Sequence, residues 1–410
     1  MSQEPLSTGL AGEGRVGQAP IVPAARRRFS LFVKGLLGLG AVLLASACSS
    51  EAPLDVFQGD GSESQTINTL QEPVFLVACV VGVLVMAAVV IIVIKFRAKP
   101  GDDELPPQTH GALGLELGWT ILPAVILAFV AAGTVVTIFD LADQPDDAMH
   151  IDVYGQQWWW GFEYDTNNDG DIDIKTATEM VIPAGQPVVV DIRSRDVIHS
   201  FWIPALNGKK DAVPGRTHSL TIQADEPGIY RGQCTEFCGL SHSRMQMRVV
   251  ALSEADYATW VDNQLQDAAA PTDDLAQAGL EVFQGQCTTC HQINGVDEVP
   301  PGTAAQVSGV APNLTHLMTR STFAGGIFDL YDQANDNPPT YDLGGIPYND
   351  LPEQGTFNRN QLEAWLRNPP AEKPMAPDPT QYSQYGRGMP NLNLSEQQID
   401  ELVAYLETLK

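Results

Sequence analysis

The segment from Cys234 to Met245 reads CTEFCGLSHSRM and places two thiols, one imidazole and one thioether within twelve residues. Soft sulfur together with imidazole is the set of ligands that selects copper. The second cysteine supplies a second thiolate, so the two sulfurs can bridge two copper ions. A further histidine, His199, lies upstream in the run HSFWIP. These residues therefore predict a binuclear copper site.

Two other interpretations of the two cysteines remain open at this point. In an oxidising compartment Cys234 and Cys238 could form a disulfide, but this would leave the spacing of His242 and Met245 unexplained. A zinc site is also compatible with thiolates and histidine, although methionine is a poor zinc ligand. Copper accounts for the four donors better than either alternative.

Short β-rich runs surround this segment between residues 150 and 252, separated by clusters of Gly, Pro and Asp. Examples are PVVVDIR at 187–193, THSLTIQ at 217–223 and MRVVAL at 247–252. Closely spaced strands with turns between them are typical of a β-sandwich or Greek-key barrel of roughly 100 residues. We therefore expect an all-β domain to hold the copper ligands.

The pattern Cys-x-Glu-x-Cys-x-x-x-His-x-x-Met after an upstream His-Ser-Phe resembles the copper-A site of cytochrome c oxidase subunit II. The runs at 116–123, 155–164 and 211–216 are also similar to that family. The resemblance implies a cupredoxin-like all-β Greek-key barrel and a binuclear copper centre that spreads one electron over two ions. The copper ligands that it implies are His199, Cys234, Cys238, His242, Met245 and the backbone carbonyl of Glu236.

The same resemblance implies two further roles. The side chain of Glu236 would bind a magnesium ion at the boundary with subunit I. Trp158, in the run QQWWWG, would be the residue through which electrons enter the copper site. Ordinary packing inside the barrel is the alternative for at least one of the three adjacent tryptophans.

The run CTTCH at 287–291 is the motif that attaches a c-type haem. The thiols of Cys287 and Cys290 add to the haem vinyl groups, and His291 binds the iron as an axial ligand. A thioredoxin-like redox pair is the alternative, but no βαβ pattern surrounds the motif. We therefore expect covalently bound haem c.

The other axial ligand is predicted to be Met389, which precedes a proline and a closing helix. Apolar residues at helical spacing and a capping box at Ser395 predict that helix. Met318 and Met375 are rival ligands, and Met375 is the more serious one. The order of haem motif, loop, Met-Pro pair and C-terminal helix resembles an all-α class I cytochrome c. Residues 331–356 are an insertion relative to a minimal cytochrome c, with no role that we can assign from sequence.

Targeting signals occupy the first fifty residues. Three arginines at 26–28 precede an apolar run at 29–44 and the small residues before Cys48. This arrangement resembles a bacterial lipobox, which would make Cys48 the lipidated first residue of the mature chain. A plain signal peptide with an incidental cysteine is the alternative.

Two uncharged apolar segments, at about 74–94 and 119–139, are each long enough to cross a membrane. Two buried core helices are the alternative interpretation. Lys95, Arg97 and Lys99 directly follow the first segment, which predicts that the loop between the segments is cytoplasmic. We therefore expect a multi-pass protein of the bacterial plasma membrane whose copper and haem domains are extracytoplasmic.

The overall charge limits the choice of partners. Fifty acidic residues against 23 basic ones give a net charge of −27, which repels phosphate backbones and excludes nucleic acid.

The sequence predicts a multidomain membrane protein with these parts: a signal peptide at 1–47, an extracytoplasmic segment at 48–72, a transmembrane hairpin at 73–140, a copper domain at 141–252, a helix and linker at 253–273 and a cytochrome c domain at 274–410.

The resemblances imply the electron-transfer subunit of a terminal cytochrome c oxidase. Electrons would come from a cytochrome c or a cytochrome bc complex and pass through haem c and the copper pair to subunit I. Subunit III would be a further partner, and oxygen would be reduced to water with proton pumping. Neither span contains a histidine, so the oxygen chemistry belongs to subunit I.

Three alternatives share some of these features. A subunit of a copper-A-containing nitric oxide reductase and a freestanding copper–haem relay both remain open. Nitrous oxide reductase is less compatible, because it is soluble and has a histidine-rich domain that this sequence lacks.

The predicted copper domain and the predicted cytochrome c domain are both acidic and should repel each other weakly. We therefore expect the flexible tether between them to bring them together.

Overall fold

A computed structural model gives the fold of this chain. The structure describes residues 54–97, 101, 108, 111–146, 148–296, 310–332, 343, 345–376 and 388–410. The predicted signal peptide and the predicted lipid anchor at Cys48 lie outside the described residues.

The described residues begin with two long apolar helices, α1 (Ser62–Lys95) and α2 (Leu113–Ala142). Both have the length and apolar composition to cross a membrane. The 34 residues of α1 extend about 51 Å, against roughly 30 Å of hydrocarbon, and α1 therefore begins before the predicted span. Its first turn packs on the following domain, where Ser64 Oγ donates to Ala205 O at 2.7 Å.

Ten strands between residues 149 and 252 build an all-β domain, hereafter the β domain. They are β1 (Met149–Gln156), β2 (Trp159–Tyr164), β3 (Ile174–Ala177), β4 (Glu179–Pro183), β5 (Val188–Ser194), β6 (His199–Trp202), β7 (Lys209–Ala212), β8 (His218–Ile222), β9 (Gly228–Gln233) and β10 (Gln246–Leu252). One sheet has the order β3-β2-β1-β5-β8 and a second has the order β4-β10-β9, while β6 pairs with β7. The expected all-β domain is confirmed.

The sequence alternates along these strands as a two-sheet sandwich requires. In β1, Ile151 and Val153 are buried, whereas Asp152 and Tyr154 are partly exposed, because successive side chains point to opposite faces. The parallel pairs β1–β5 and β4–β10 join strands that are distant in sequence. Large side chains fill the space between the sheets, including Trp160, Phe162, Phe201, Tyr230 and Met247.

Helices are the main elements of the described residues after 252, and residues 274–410 are hereafter the C-terminal domain. The helices are α3 (Glu254–Gln264), α4 (Asp274–Gln286), α5 (Leu351–Gln354), α6 (Arg359–Arg367), α7 (Pro369–Glu372) and α8 (Glu396–Leu406). A short hairpin joins β11 (Thr322–Phe323) and β12 (Phe328–Asp329). α4 and α8 cross so closely that a Cβ at Gly279 would collide with the carbonyl oxygen of Glu401.

The closing helix α8 confirms its prediction from sequence. Gln398 N donates to Ser395 Oγ at 3.2 Å, and Ser395 N donates to Gln398 Oε1 at 3.0 Å, which completes the capping box. The predicted apolar face is buried against the rest of the C-terminal domain, and its residues are Ile399, Leu402, Val403, Leu406 and Leu409.

The two domains share a buried polar contact, hereafter the interdomain latch, formed by Glu179, Arg248, Ser321, Thr322 and Tyr348. Glu179 on β4 is 1% exposed and accepts hydrogen bonds from Ser321 N at 2.9 Å and Tyr348 OH at 2.6 Å. Ser321 Oγ and Thr322 Oγ1 also donate to Glu179, and Arg248 on β10 donates to Ser321 Oγ at 2.7 Å.

The expectation that a flexible tether alone brings the domains together is therefore wrong. That expectation rested on the surface charge of each domain, whereas the latch pairs polar groups that the interface buries. Tyr348 belongs to the inserted residues 331–356, so part of the insertion contacts the β domain.

Candidate copper and haem sites

One end of the β domain brings the predicted copper ligands together. His199 begins β6, Cys234 directly follows β9, and Met245 directly precedes β10. β9 and β10 are antiparallel neighbours with Gln233 opposite Gln246. The loop between them is thus closed at its base, and its donors are held close to the start of β6.

The donor atoms converge on the two thiols. The separations are 3.8 Å from Cys234 Sγ to Cys238 Sγ, 3.9 Å from Cys234 Sγ to His199 Nδ1, 3.6 Å from Cys238 Sγ to His242 Nδ1, 3.8 Å from Cys238 Sγ to Met245 Sδ and 3.3 Å from Cys234 Sγ to Glu236 O. All six predicted ligands therefore lie in one cluster. Three sulfurs and two imidazoles in such a cluster fit copper, and the methionine makes zinc a poorer fit.

Cys234 and Cys238 are free thiols in this structure. Their sulfurs are 3.8 Å apart, whereas a disulfide bond is about 2.05 Å long. The hydrogen bond between the thiols lowers the pKa of Cys234, and the same contact raises the pKa of Cys238, with burial raising it further. A lowered pKa makes the thiolate of Cys234 easier to form, and the thiolate is the form of cysteine that binds a metal.

Asp196 is a residue of this site that the sequence analysis missed. Its Oδ1 lies 2.8 Å from His199 Nε2, and the side chains of both residues are almost fully buried. The contact leaves His199 Nδ1 facing the thiols. Burial acts to lower the pKa of His199, but the hydrogen bonds to Asp196 and Cys234 outweigh it and raise the pKa. A carboxylate on the outer nitrogen is a common partner of metal-binding histidines, so an acid three residues before His199 was a usable signal.

Trp158 lies against the same loop, and its role in electron entry stays a prediction. Its side chain is 4% exposed, and its Nε1 donates to Cys238 O at 3.0 Å. By contrast, Glu236 and Phe237 lie on the outer side of the loop, and Phe237 is 77% exposed. The loop thus has a side buried against Trp158 and a side open to a partner.

The predicted haem residues follow α4 directly. Cys290 N and His291 N both donate to Cys287 O at 3.0 Å, which keeps the three residues in one turn. His291 Nδ1 contacts Pro312 O at 2.8 Å, so Nδ1 carries the proton and Nε2 keeps the lone pair that iron needs. Burial lowers the pKa of His291, which favours the neutral imidazole. Two free thiols and a neutral imidazole fit a covalently attached haem.

The structure places two of the three candidate methionines side by side. A Cβ on Gly388, the residue before Met389, would lie 2.5 Å from Met375 Sδ. Met389 and Met375 are both half-buried and packed against the core. Met318 is 3% exposed, and its carbonyl accepts a hydrogen bond from Tyr331 OH at 2.6 Å. Met389 as the axial ligand stays a prediction.

Three family models match the chain. The transmembrane domain of cytochrome c oxidase subunit II matches residues 52–135, and its periplasmic domain matches residues 168–252. Cytochrome c matches residues 276–410. The matches fall on the apolar helices, the β domain and the C-terminal domain respectively.

Curated relatives point to the same family, and a solved structure is similar to part of the chain. Cytochrome c oxidase subunit 2 of Alkalihalophilus pseudofirmus is 34% identical over 376 residues, which are 90% of this chain and 94% of that protein. The subunit 2 of Bacillus sp. strain PS3 is 30% identical over 77% of this chain and 80% of its own length. The periplasmic domain of subunit II of cytochrome oxidase of Bradyrhizobium japonicum is 29% identical and covers 29% of this chain and 95% of that chain, with a TM-score of 0.27.

Proposed function

Because the chain belongs to the cytochrome c oxidase subunit II family, we propose that it is the electron-transfer subunit of a terminal haem–copper oxidase. The observation that carries this function is the convergence of six copper-type donors beside Trp158, in a domain that matches the family's periplasmic domain. The fused cytochrome c region adds a second one-electron site on the same chain. Oxygen reduction then belongs to subunit I of the complex.

We assign the ligands as follows. The copper pair is held by His199, Cys234, Cys238, His242, Met245 and Glu236 O, and haem c by Cys287, Cys290, His291 and Met389. When bound, the two copper ions supply a site that takes up one electron shared between both metals. Asp196 orients His199 by its hydrogen bond, and Trp158 lies where an electron enters the copper loop. The exposed Glu236 carboxylate is available for a magnesium ion at the boundary with subunit I.

The partners and the location follow from the same assignment. We infer that α1 and α2 anchor the chain in the bacterial plasma membrane, with the β and C-terminal domains outside the cytoplasm. Subunits I and III are the proposed partners in the complex, and a cytochrome c or a cytochrome bc complex is the proposed donor. The relatives are cytochrome c oxidase subunits, so the nitric oxide reductase subunit and the freestanding relay are not favoured.

Electron spin resonance on the complex purified in mild detergent tests this function. We expect a seven-line copper pattern, haem from subunit I in the optical spectrum, and oxygen uptake. Cys234→Ser should abolish the seven-line pattern, because one bridging thiolate is lost. Cys79→Ser, which removes an exposed thiol on α1, should leave it unchanged. A four-line pattern in the wild type would contradict a binuclear centre, and absence of oxygen uptake would contradict the oxidase.

A further inference from the structure

Three successive residues of the C-terminal domain, Glu372 to Pro374, lie at the copper site, and we name them the interdomain strap. Glu372 and Pro374 contact the loop at 234–245, hereafter the copper-binding loop, whereas Lys373 contacts Trp158. Arg244 of the loop donates from its guanidinium to Glu372 O at 2.7 Å. Ser241 of the loop donates from Oγ to Pro374 O. Lys373 between them points into the β domain and donates to Trp158 O at 2.7 Å. Three successive residues are therefore held by the segments that build the copper site.

The amine of Lys373 is buried at this contact. Lys373 is 3% exposed, and its Nζ donates to both Trp158 O and Ala324 O at 2.7 Å. A buried amine is costly unless its protons are hydrogen-bonded, and here two carbonyls accept from it. An amine has at least two N–H donors whether it is charged or neutral, so both contacts persist in either state. The structure therefore uses Lys373 as a fixed hydrogen-bond donor between the domains.

A short path of hydrogen bonds connects this amine to a predicted copper ligand. Lys373 holds the carbonyl of Trp158, and the indole of Trp158 donates to Cys238 O at 3.0 Å. Gln157, the residue before Trp158, donates to the same Cys238 carbonyl at 2.7 Å. Displacement of Trp158 would thus be transmitted to the backbone of Cys238.

Gly325 makes the close approach possible. Its φ is +78°, and a Cβ there would lie 2.6 Å from Lys373 Nζ and 2.8 Å from Trp158 O. A side chain at this position would enter the space that the amine and the carbonyl share. The lack of a side chain at Gly325 therefore leaves room for the contact between Lys373 and Trp158.

We propose that Lys373 is a positioning residue for electron transfer from the C-terminal domain to the copper site, because it fixes Trp158 against the loop that carries Cys238. In the step concerned, one electron leaves the reduced C-terminal domain and one electron enters the oxidised β domain, with no bond made or broken. The inference rests on the proposed function and names the residue that aligns the two sites. It explains why the strap runs along the copper-binding loop.

Photoreduction of the full chain in detergent, loaded with copper and haem, tests the proposal. In Lys373→Met we expect the internal transfer rate to fall severalfold, because Trp158 is no longer held against the loop that carries Cys238. The copper absorption bands should shift as well, although the copper and haem contents stay the same. Gly325→Ala should reproduce the shift and the slower transfer from the other side of the contact.

Arg359→Met is the matched control, because it also replaces a hydrogen-bonded basic side chain of the C-terminal domain by methionine. Arg359 pairs with Glu363 and Asp400 inside that domain. The Arg359→Met variant should therefore keep the wild-type transfer rate and the wild-type copper bands. Wild-type rate and spectrum in Lys373→Met would overturn the inference while the proposed function stands. Absence of internal transfer in the loaded wild type would overturn both.

Discussion

Asp196 illustrates how one buried carboxylate can control a metal ligand. It contacts His199 Nε2 and also accepts a hydrogen bond from Gln157 N at 2.8 Å, so it links the histidine to the segment before Trp158. In Asp196→Asn the charge is lost and one hydrogen-bond acceptor becomes a donor. We expect copper affinity to fall by about 10- to 100-fold, as is usual when such a partner is removed. Competition with a copper chelator measures the change.

Asp191→Asn is a suitable control for that prediction. Asp191 on β5 also contacts a histidine, His150, at 3.3 Å, but this pair lies apart from the predicted copper ligands. Copper affinity should stay at its wild-type value in this variant. Equal affinities in the wild type and Asp196→Asn would show that Asp196 does not orient His199.

The identity of the second axial haem ligand is also decided by single residues. We expect Met389→Ala to remove the sulfur–iron charge-transfer band while the haem stays covalently attached through Cys287 and Cys290. Met375→Ala is the matched control, because Met375 lies beside the residue that precedes Met389. The optical spectrum of the oxidised chain measures both. Loss of the band in Met375→Ala but not in Met389→Ala would identify Met375 as the axial ligand.

At the scale of elements, the junction between α1 and the β domain contains a charge conflict. Asp60 N donates to Ala205 O at 2.8 Å, and Asp225 N donates to Asp60 O at 2.9 Å, so the backbone brings the two acids together. Burial and, to a smaller extent, repulsion from Asp225 raise the pKa of Asp60. The folded chain therefore binds this proton more tightly than the unfolded chain, whose ordinary pKa is 3.8. The stability from this group is present below pH 3.8 and lost as the pH rises through the folded pKa.

The variant Asp60→Asn tests this direction of the pH dependence of stability. At pH 7 we expect the free energy of unfolding to rise by about 0.5 kcal/mol or less, because the group is partly exposed and solvent screens it. The gain should shrink as the pH falls and vanish below 3.8. Thermal unfolding followed by near-ultraviolet circular dichroism at several pH values measures it. Asp262→Asn, an exposed position on α3, removes the same charge and should change little; a gain in Asp60→Asn that is independent of pH would refute the assignment.

At the scale of the whole molecule, the interdomain latch changes the expected kinetics. Residues 281–410 carry 16 acidic and 6 basic residues, which favours attraction of a basic external donor. Electron entry from such a donor should slow steeply with salt. The internal step should respond little to ionic strength or viscosity, because the latch already holds the two domains together and screening acts mainly on exposed charges.

Stopped-flow reduction at low and high salt, with and without a viscogen, separates the two steps. Tyr348→Phe removes one latch hydrogen bond to Glu179 and should make the internal step more sensitive to viscosity. If the internal step of the wild type already slows with viscosity, the domains move apart between turnovers and the latch does not hold them in solution.

Much of the candidate site was predictable because its residues are close in sequence. Five of the six proposed copper ligands lie in the single loop between β9 and β10, and the haem motif occupies 287–291. The capping box at Ser395 and the apolar face of α8 likewise depend on residues within about four turns. The geometry of one loop or one helix links such residues directly, so their spacing is enough to predict their chemistry.

The relations between domains were not predictable in the same way. Glu179 and Tyr348 are 169 residues apart, and Trp158 and Lys373 are 215 residues apart. The packing of the start of α1 on the β domain also became visible only in the folded chain. No local pattern specifies such pairs, because the two partners of each pair lie far apart in the sequence. The pairs form where the packing of whole sheets and helices buries polar groups together and leaves them to satisfy one another.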